Sequence, residues 1–84
     1  MREEYPKLIE EKPIGEFTVS IYKTTYFYDI IISGDEKKLL ELKKQNEYSN
    51  YMDYSKFGYP ILIWDTCDTL DEAIYIMKEI EKEL

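Results

Sequence analysis

Carboxylates are the side chains of this sequence whose type and spacing come closest to supporting chemistry. Four of them lie close together in the C-terminal third of the chain: Asp65, Asp68, Asp71 and Glu72. A hard cation such as Ca²⁺ or Mg²⁺ requires clustered oxygens of this kind. The spacing is not that of an EF-hand loop, and the central glycine is missing. The same residues suit the start of a helix, where carboxylates are stabilising. We therefore predict no metal site and no other cofactor.

The composition removes the commonest catalytic groups. The 84 residues contain no histidine, which excludes histidine acid–base catalysis, histidine-activated nucleophiles and histidine metal ligands. Cys67 is the one cysteine, and its acidic surroundings disfavour the thiolate that a nucleophile requires. The three glycines stand apart, so no phosphate-binding glycine loop is present. We therefore expect a protein that is not an enzyme.

The charge balance restricts the partners. Eleven basic against 18 acidic residues give a net charge of −7, which repels phosphate backbones and attracts basic partners. The apolar run Ile61–Trp64 is far shorter than the ~20 residues of a membrane span. The acidic start of the chain predicts no signal peptide, and a single cysteine suits a reducing compartment. We expect a cytoplasmic protein without a membrane partner or a direct nucleic-acid partner.

Aromatic residues recur at every third position over one segment, as Tyr48, Tyr51, Tyr54 and Phe57. The residues between them are mostly small or polar, and tyrosine among such residues is typical of antibody binding loops. In a helix, four rings at this spacing spread over about 180° and cannot all pack on one narrow stripe. Two interpretations stay open: an ordered segment that packs its rings on a sheet, or an interaction surface.

A β-hairpin is predicted over residues 16–33, because apolar and polar residues alternate on both sides of a turn at Thr24–Thr25. In this register Ile21 faces Tyr28, Val19 faces Ile30 and Phe17 faces Ile32. All six apolar residues then lie on one face of the hairpin.

The other face of the predicted hairpin exposes Tyr22, Phe27 and Ile31. An exposed apolar patch marks a partner site or a second covering layer. The patch can be filled by another protein, by a second copy in a homodimer, or by the N-terminal segment 1–15. That segment reads as an arm or an edge strand.

Two helices and a third strand follow the hairpin. The Ser33–Glu36 spacing predicts a capping box and a helix from Asp35 to about Asn46. Residues 59–64 predict a buried strand, and a second capping box at Thr69–Glu72 precedes a C-terminal helix. The residues of its predicted buried stripe are Leu70, Ala73, Ile74, Met77, Ile80 and Leu84.

The element order β-β-α-β-α predicts an α+β fold within a single domain, residues 1–84. We expect two layers, with an antiparallel hairpin plus a third strand and both helices packed on one face of the sheet. The strand–helix–strand segment from residue 26 to residue 64 fits a right-handed crossover between parallel strands.

Size, charge and the nine tyrosines together indicate a non-enzymatic protein-binding module. The specific expectation is a small acidic inhibitor that blocks a basic surface of a larger protein by mimicking nucleic acid, as small phage and mobile-element proteins do. The predicted partner-binding residues are Tyr22, Phe27, Tyr48, Tyr51, Tyr54 and Phe57. The predicted acidic surface consists of Asp53, Asp65, Asp68, Glu79 and Glu83.

The alternative is an oligomeric protein that binds a small, nucleotide-like ligand. Exposed rings would then stack on a base, and lysines of the first helix would contact its phosphates. Rings that converge on a concavity with lysine favour the ligand, whereas rings on a convex surface favour a protein partner.

Overall fold

The described part of the chain, residues 6–53 and 57–84 of a computed structural model, contains five strands and two helices. The strands are β1 (Lys7–Ile14), β2 (Phe17–Lys23), β3 (Tyr28–Ser33), β4 (Asn50–Met52) and β5 (Ile61–Cys67). The helices are α1 (Glu36–Lys43) and α2 (Leu70–Glu83). Within the same residues, neither helix has the length and apolar content that a membrane span requires.

The strands form one antiparallel sheet in the order β1-β2-β3-β5-β4, and both helices pack on the same face of it. The core joins apolar side chains of β2, β3 and β5 to side chains of both helices. The helix residues in this core are Leu39, Leu42, Ala73, Met77 and Ile80. The predicted α+β fold, with a hairpin, a further strand and two helices on one face, is confirmed.

The hairpin of β2 and β3 has the predicted faces but a different register. Val19 pairs with Ile32 and Ile21 pairs with Ile30, two residues away from the predicted pairing. The reversal lies later in the chain because Thr24 closes a turn with Phe27. The Thr24 N–H donates to Phe27 O at 2.8 Å, and the Thr24 hydroxyl accepts from Phe27 N–H at 3.1 Å. A shift of two residues leaves the side chains of β2 and β3 on their predicted faces. Phe27, which was predicted on the outer face beside Tyr22 and Ile31, lies instead in the turn against Tyr26.

Within the N-terminal segment, Lys7–Ile14 forms the edge strand β1. β1 pairs antiparallel with β2 through a two-residue turn, Gly15–Glu16. Gly15 has a φ of 62°, which suits the first central position of a type II′ hairpin turn, where glycine is favoured. The Gly15–Glu16 dipeptide was therefore a local signal for this turn, but residues 7–14 show no regular alternation of apolar and polar side chains that would have identified the strand.

The crossover predicted for residues 26–64 is wrong, because β3 and β5 are antiparallel. The segment that follows α1 contains a short strand, β4, which lies on the outer side of β5 and is antiparallel to it. This additional strand reverses the chain before β5 begins. β5 therefore enters the sheet in the direction opposite to the one that a single crossover would give.

The two helix starts differ in how well they were predicted. Thr69 is the N-cap of α2, and its hydroxyl accepts from Glu72 N–H at 3.2 Å, as the capping box predicts. The N-cap of α1 is Asp35 instead of Ser33. The Asp35 carboxylate accepts from the backbone N–H groups of Lys37 and Lys38. Asp35 is as good a capping residue as serine, so the spacing alone could not separate them.

The apolar stripe of α2 is buried along most of its predicted length. Ala73, Met77 and Ile80 are buried, and Leu70 and Ile74 are partly buried against the core. Leu84 is exposed, since it follows the last turn of the helix.

Candidate protein-binding surface

One end of the sheet carries the most exposed aromatic residues of the hairpin. Tyr28 pairs with Cys67, so the turn before Tyr28 and the residues after Cys67 lie at the same end. In that turn, Tyr26 is 80% exposed and Phe27 is 46% exposed. Their rings meet edge-on, with centroids 6.4 Å apart. The pair forms a small aromatic projection from the sheet.

Carboxylates lie beside this aromatic pair. Asp29 pairs with Thr66 across β3 and β5, and the Thr66 hydroxyl donates to Asp29 Oδ1 at 2.8 Å. Asp65 and Asp68 lie near the end of β5 and are exposed. The exposed first turn of α2 adds Asp71 and Glu72. Carboxylates near a helix N-terminus stabilise the helix, which accounts for the last two without any partner.

A side chain of the α1–β4 loop brings a third ring to the same region. The Asn46 amide donates from Nδ2 to Trp64 O at 3.1 Å, and its Oδ1 accepts from Tyr48 N–H at 3.1 Å. Asn46 therefore holds the backbone of Tyr48 beside Trp64 of β5. The Tyr48 ring is 85% exposed.

We name this region the acidic–aromatic end. It consists of Tyr26, Phe27, Asp29, Tyr48, Asp65, Asp68, Asp71 and Glu72. Basic residues also lie at this end. Lys23, at the start of the turn, has its Nζ 5.1 Å from the centroid of the Tyr28 ring, and Lys7 pairs with Lys23 across β1 and β2. The Lys43 Nζ donates to Ser49 O at 3.0 Å, next to Tyr48.

The carboxylates of the acidic–aromatic end act on the buried Cys67 thiol. Burial raises the pKa of the Cys67 thiol, and the carboxylates of Glu72, Asp65 and Asp68 raise it further. The raised pKa also means that Cys67 is poorly suited to nucleophilic chemistry. Carboxylates from β5, the following turn and α2 thus act on a single atom.

Changing Asp68→Asn together with Glu72→Gln is expected to lower the pKa of the Cys67 thiol, because carboxylates beside a thiol disfavour the thiolate. The measurement is the pH dependence of alkylation by iodoacetamide. The midpoint should move to lower pH in this variant and stay unchanged in Glu10→Gln with Glu41→Gln, which removes two distant charges. Equal midpoints in both variants would show that the carboxylates do not act on Cys67.

Two of the predicted partner-binding residues meet on the face of the sheet opposite the helices. The rings of Tyr22 and Phe57 have centroids 4.9 Å apart, and Tyr59 stacks on Phe57 at 6.0 Å. Ile31 is buried on this face. The loop after β4 thus contributes to covering the predicted patch, whereas Leu8 of β1 stays exposed.

Tyr51 belongs to the helix side of the sheet. Its ring packs against the core, and its buried hydroxyl has no hydrogen-bond partner within residues 6–53 and 57–84. Burial, with the carboxylates of Asp53 and Glu36 nearby, raises the pKa of Tyr51. Tyr54 lies outside the described residues. The rings of the period-three segment that are described therefore occupy three separate regions and do not form one surface.

The predicted acidic surface is also divided. Asp65 and Asp68 belong to the acidic–aromatic end. Asp53 follows β4 near the opposite end of β5, where Met52 pairs with Ile61. On α2, Glu79 pairs with Lys82 at 3.5 Å, and the neighbouring Glu81 pairs with Lys12 of β1 at 3.3 Å. Exposed Glu83 lies on this same mixed-charge part of α2.

Tyr26, Asp29, Asp71 and Glu72 were not among the surface residues predicted from the sequence. The exposure of Tyr26 could have been predicted, because an aromatic residue in a hairpin turn lies beyond the strands and cannot pack on a face of the sheet. Asp29 gave no such signal, since an acidic residue on the outer face of a strand is ordinary.

A metal site requires clustered ligands, and a small-ligand site requires a cavity. Among residues 6–53 and 57–84, no group of three or more cysteine, aspartate or glutamate side chains is arranged to hold a metal ion. A cavity of about 390 Å³ lies beside α1, and its residues include Phe17, Lys38 and Leu42. Lys38 forms an ion pair with Glu16 there.

No protein-family model, curated protein or solved structure matches this chain. Its function is therefore argued from the surface alone.

Proposed function

We propose that the protein is a non-enzymatic binding module that docks its acidic–aromatic end onto a basic surface of a larger protein. The observation that supports this is the convergence of exposed rings and carboxylates from three parts of the chain at one end of the sheet. Tyrosine is enriched among the residues that contribute most to binding. Carboxylates around such rings accelerate encounter with a basic partner and disfavour other partners.

An inhibitor of a nucleic-acid-binding protein is the specific form of this proposal. The groove of such a protein is basic because it binds phosphates, and a rigid end that carries carboxylates can occupy the same groove. The net charge of −7 favours that encounter and disfavours direct binding to nucleic acid. The single free cysteine is consistent with a reducing cytoplasm, in the style of phage or mobile-element inhibitors.

The small-ligand alternative receives less support from the geometry. It requires rings and lysines of α1 that converge on one concavity. Lys38 borders the 390 Å³ cavity but pairs with Glu16, while Tyr48 projects beside β5 and Tyr51 packs toward the core. The exposed rings instead occupy a projecting end, which suits a protein partner.

The test is affinity capture from the native lysate with the tagged protein at about 50 mM and about 500 mM salt, since screening weakens exposed charge pairs. We expect a stoichiometric protein partner that is retained at low salt and released at high salt. The variant Asp65→Asn with Asp68→Asn should lose this partner. The control Glu10→Gln with Glu41→Gln has the same net charge and should retain it.

Two outcomes would contradict the proposal. Equal retention by both variants would show that the partner binds elsewhere. If no protein is retained, and mass spectrometry finds a small molecule carried through purification, the ligand-binding alternative replaces the proposal.

A further inference from the structure

Strand β5 has a backbone edge that β4 covers only in part. β4 pairs with Ile61, Leu62 and Ile63, whereas β3 pairs with β5 as far as Cys67. Within residues 6–53 and 57–84, no strand lies on the β4 side of Trp64–Cys67. An uncovered edge presents backbone groups on which an additional strand can form.

Two backbone groups of this edge are bonded to side chains. Trp64 O accepts from Asn46 Nδ2 at 3.1 Å, and Thr66 N–H donates to Asp65 Oδ1 at 2.7 Å. The Asp65 side chain is exposed, so it can turn away without losing contact with water. An incoming strand would then exchange one hydrogen bond of Thr66 for another, at little net cost.

The charges around the edge select its occupant. Asp65 and Asp68 flank it, and the exposed ring of Tyr48 lies beside it. A second copy of this chain would bring its own carboxylates to the same place and be repelled, because each copy carries a net charge of −7. A segment with basic side chains would instead pair with these carboxylates.

We propose that an extended basic segment of the partner protein adds to the sheet as a strand along Asp65–Cys67. This inference rests on the proposed function, since it states how the acidic–aromatic end holds its partner. β5 ends at Cys67 and the chain bends at Asp68 and Thr69, so the available edge is the short stretch from Asp65 to Cys67. In strand addition, backbone hydrogen bonds give affinity and the flanking side chains give specificity.

A synthetic peptide of alternating arginine and valine is a suitable probe, because neither the edge hydrogen bonds nor the charge attraction depends on one particular sequence. Its control is the same peptide with its central backbone nitrogens methylated, which keeps every charge and removes the donors. Binding is measured by titration, and the exchange rates of the Asp65, Thr66 and Cys67 amides are measured by NMR. The unmethylated peptide should bind about fivefold more tightly, as expected for one hydrogen bond lost at Thr66 O, and should slow exchange at Thr66.

A matched pair of variants tests the same edge from the protein side. Thr66→Pro removes the edge N–H, whereas Thr66→Val keeps it, and both lose the hydroxyl that donates to Asp29. We expect the unmethylated peptide to bind the proline variant about tenfold more weakly than the valine variant. If Thr66→Pro does not fold, the comparison of the two peptides decides the question.

The outcomes separate this inference from the proposed function. If both peptides bind equally and salt weakens both, strand addition is wrong and the basic-partner function stands. If neither peptide binds even at low salt, the attraction of the acidic–aromatic end for basic segments is refuted as well.

Discussion

Replacing Met77 with alanine is expected to lower the free energy of unfolding by about 2–5 kcal/mol, the range for large-to-small changes in a core. Met77 is 3% exposed and belongs to the cluster that joins α2 to the sheet. Its truncation removes buried apolar surface and leaves a cavity. Domains of this size are stable by about 4–13 kcal/mol, so the variant loses a large share of its stability. Urea unfolding followed by far-UV circular dichroism measures the change.

Two neighbouring positions on α2 serve as controls for this prediction. Tyr75 is 62% exposed, and Tyr75→Ala should change stability by no more than about 0.5 kcal/mol. Ile74 is partly buried, so Ile74→Ala should fall between the two. A Met77→Ala variant as stable as Tyr75→Ala would contradict the assignment of the buried face.

The α2 helix could be predicted from the sequence because its signals agree. A capping residue, Thr69, precedes apolar residues at helical spacing, and the helix buries that stripe. For the β2–β3 hairpin, the prediction agrees with the structure in the faces of the strands but not in their register. Alternation fixed which residues face the core, but the turn at Thr24–Phe27 lacks the Asn-Gly or Asp-Gly dipeptides that set a register.

Strand β4 could not be predicted, and the direction of β5 depended on it. Three residues, Asn50–Met52, are too few for a periodic pattern, and the aromatic spacing around them suggested one continuous feature. In the structure Tyr51 faces the core side of β4, while Tyr48 precedes the strand in an exposed turn. The segment with aromatic residues at every third position therefore passes from a turn into a strand, and its rings do not share one face.

Four of the eight residues of the candidate surface were predicted from the sequence, but their assembly was not. Phe27, Tyr48, Asp65 and Asp68 were each candidates, assigned to three unrelated features. Their convergence depends on long-range pairing, such as the Thr66–Asp29 hydrogen bond between residues 37 positions apart. No local pattern encodes a pairing of that separation.

The structure also changes which aromatic residues are suitable for a binding test. The sequence predicts Tyr51 and Tyr54 as partner-binding residues, so changing both to serine would be the natural test. Tyr51 packs against the core, so its loss would affect stability and binding together. Tyr54 lies outside the described residues. Tyr26 and Phe27 are exposed on a turn and avoid this difficulty.

Changing Tyr26→Ser together with Phe27→Ser is expected to weaken binding of the captured partner about 30-fold or more while leaving the protein folded. A ring at the centre of an interface typically contributes about 2 kcal/mol or more, which corresponds to about 30-fold in affinity. The turn itself should survive, because Thr24 holds it through backbone atoms of Phe27. The measurement is the dissociation constant by calorimetry, with thermal unfolding measured on the same samples.

The effect of removing these rings should differ from that of removing the carboxylates. Loss of apolar contact acts mainly on the dissociation rate and persists at high salt, whereas loss of Asp65 and Asp68 acts on the association rate and fades as salt screens the charges. The control is Leu40→Ser with Leu84→Ser, which removes two exposed apolar side chains from the helix side of the molecule. If both double variants bind the partner equally well, Tyr26 and Phe27 do not contact it. The carboxylates alone would then account for the interaction.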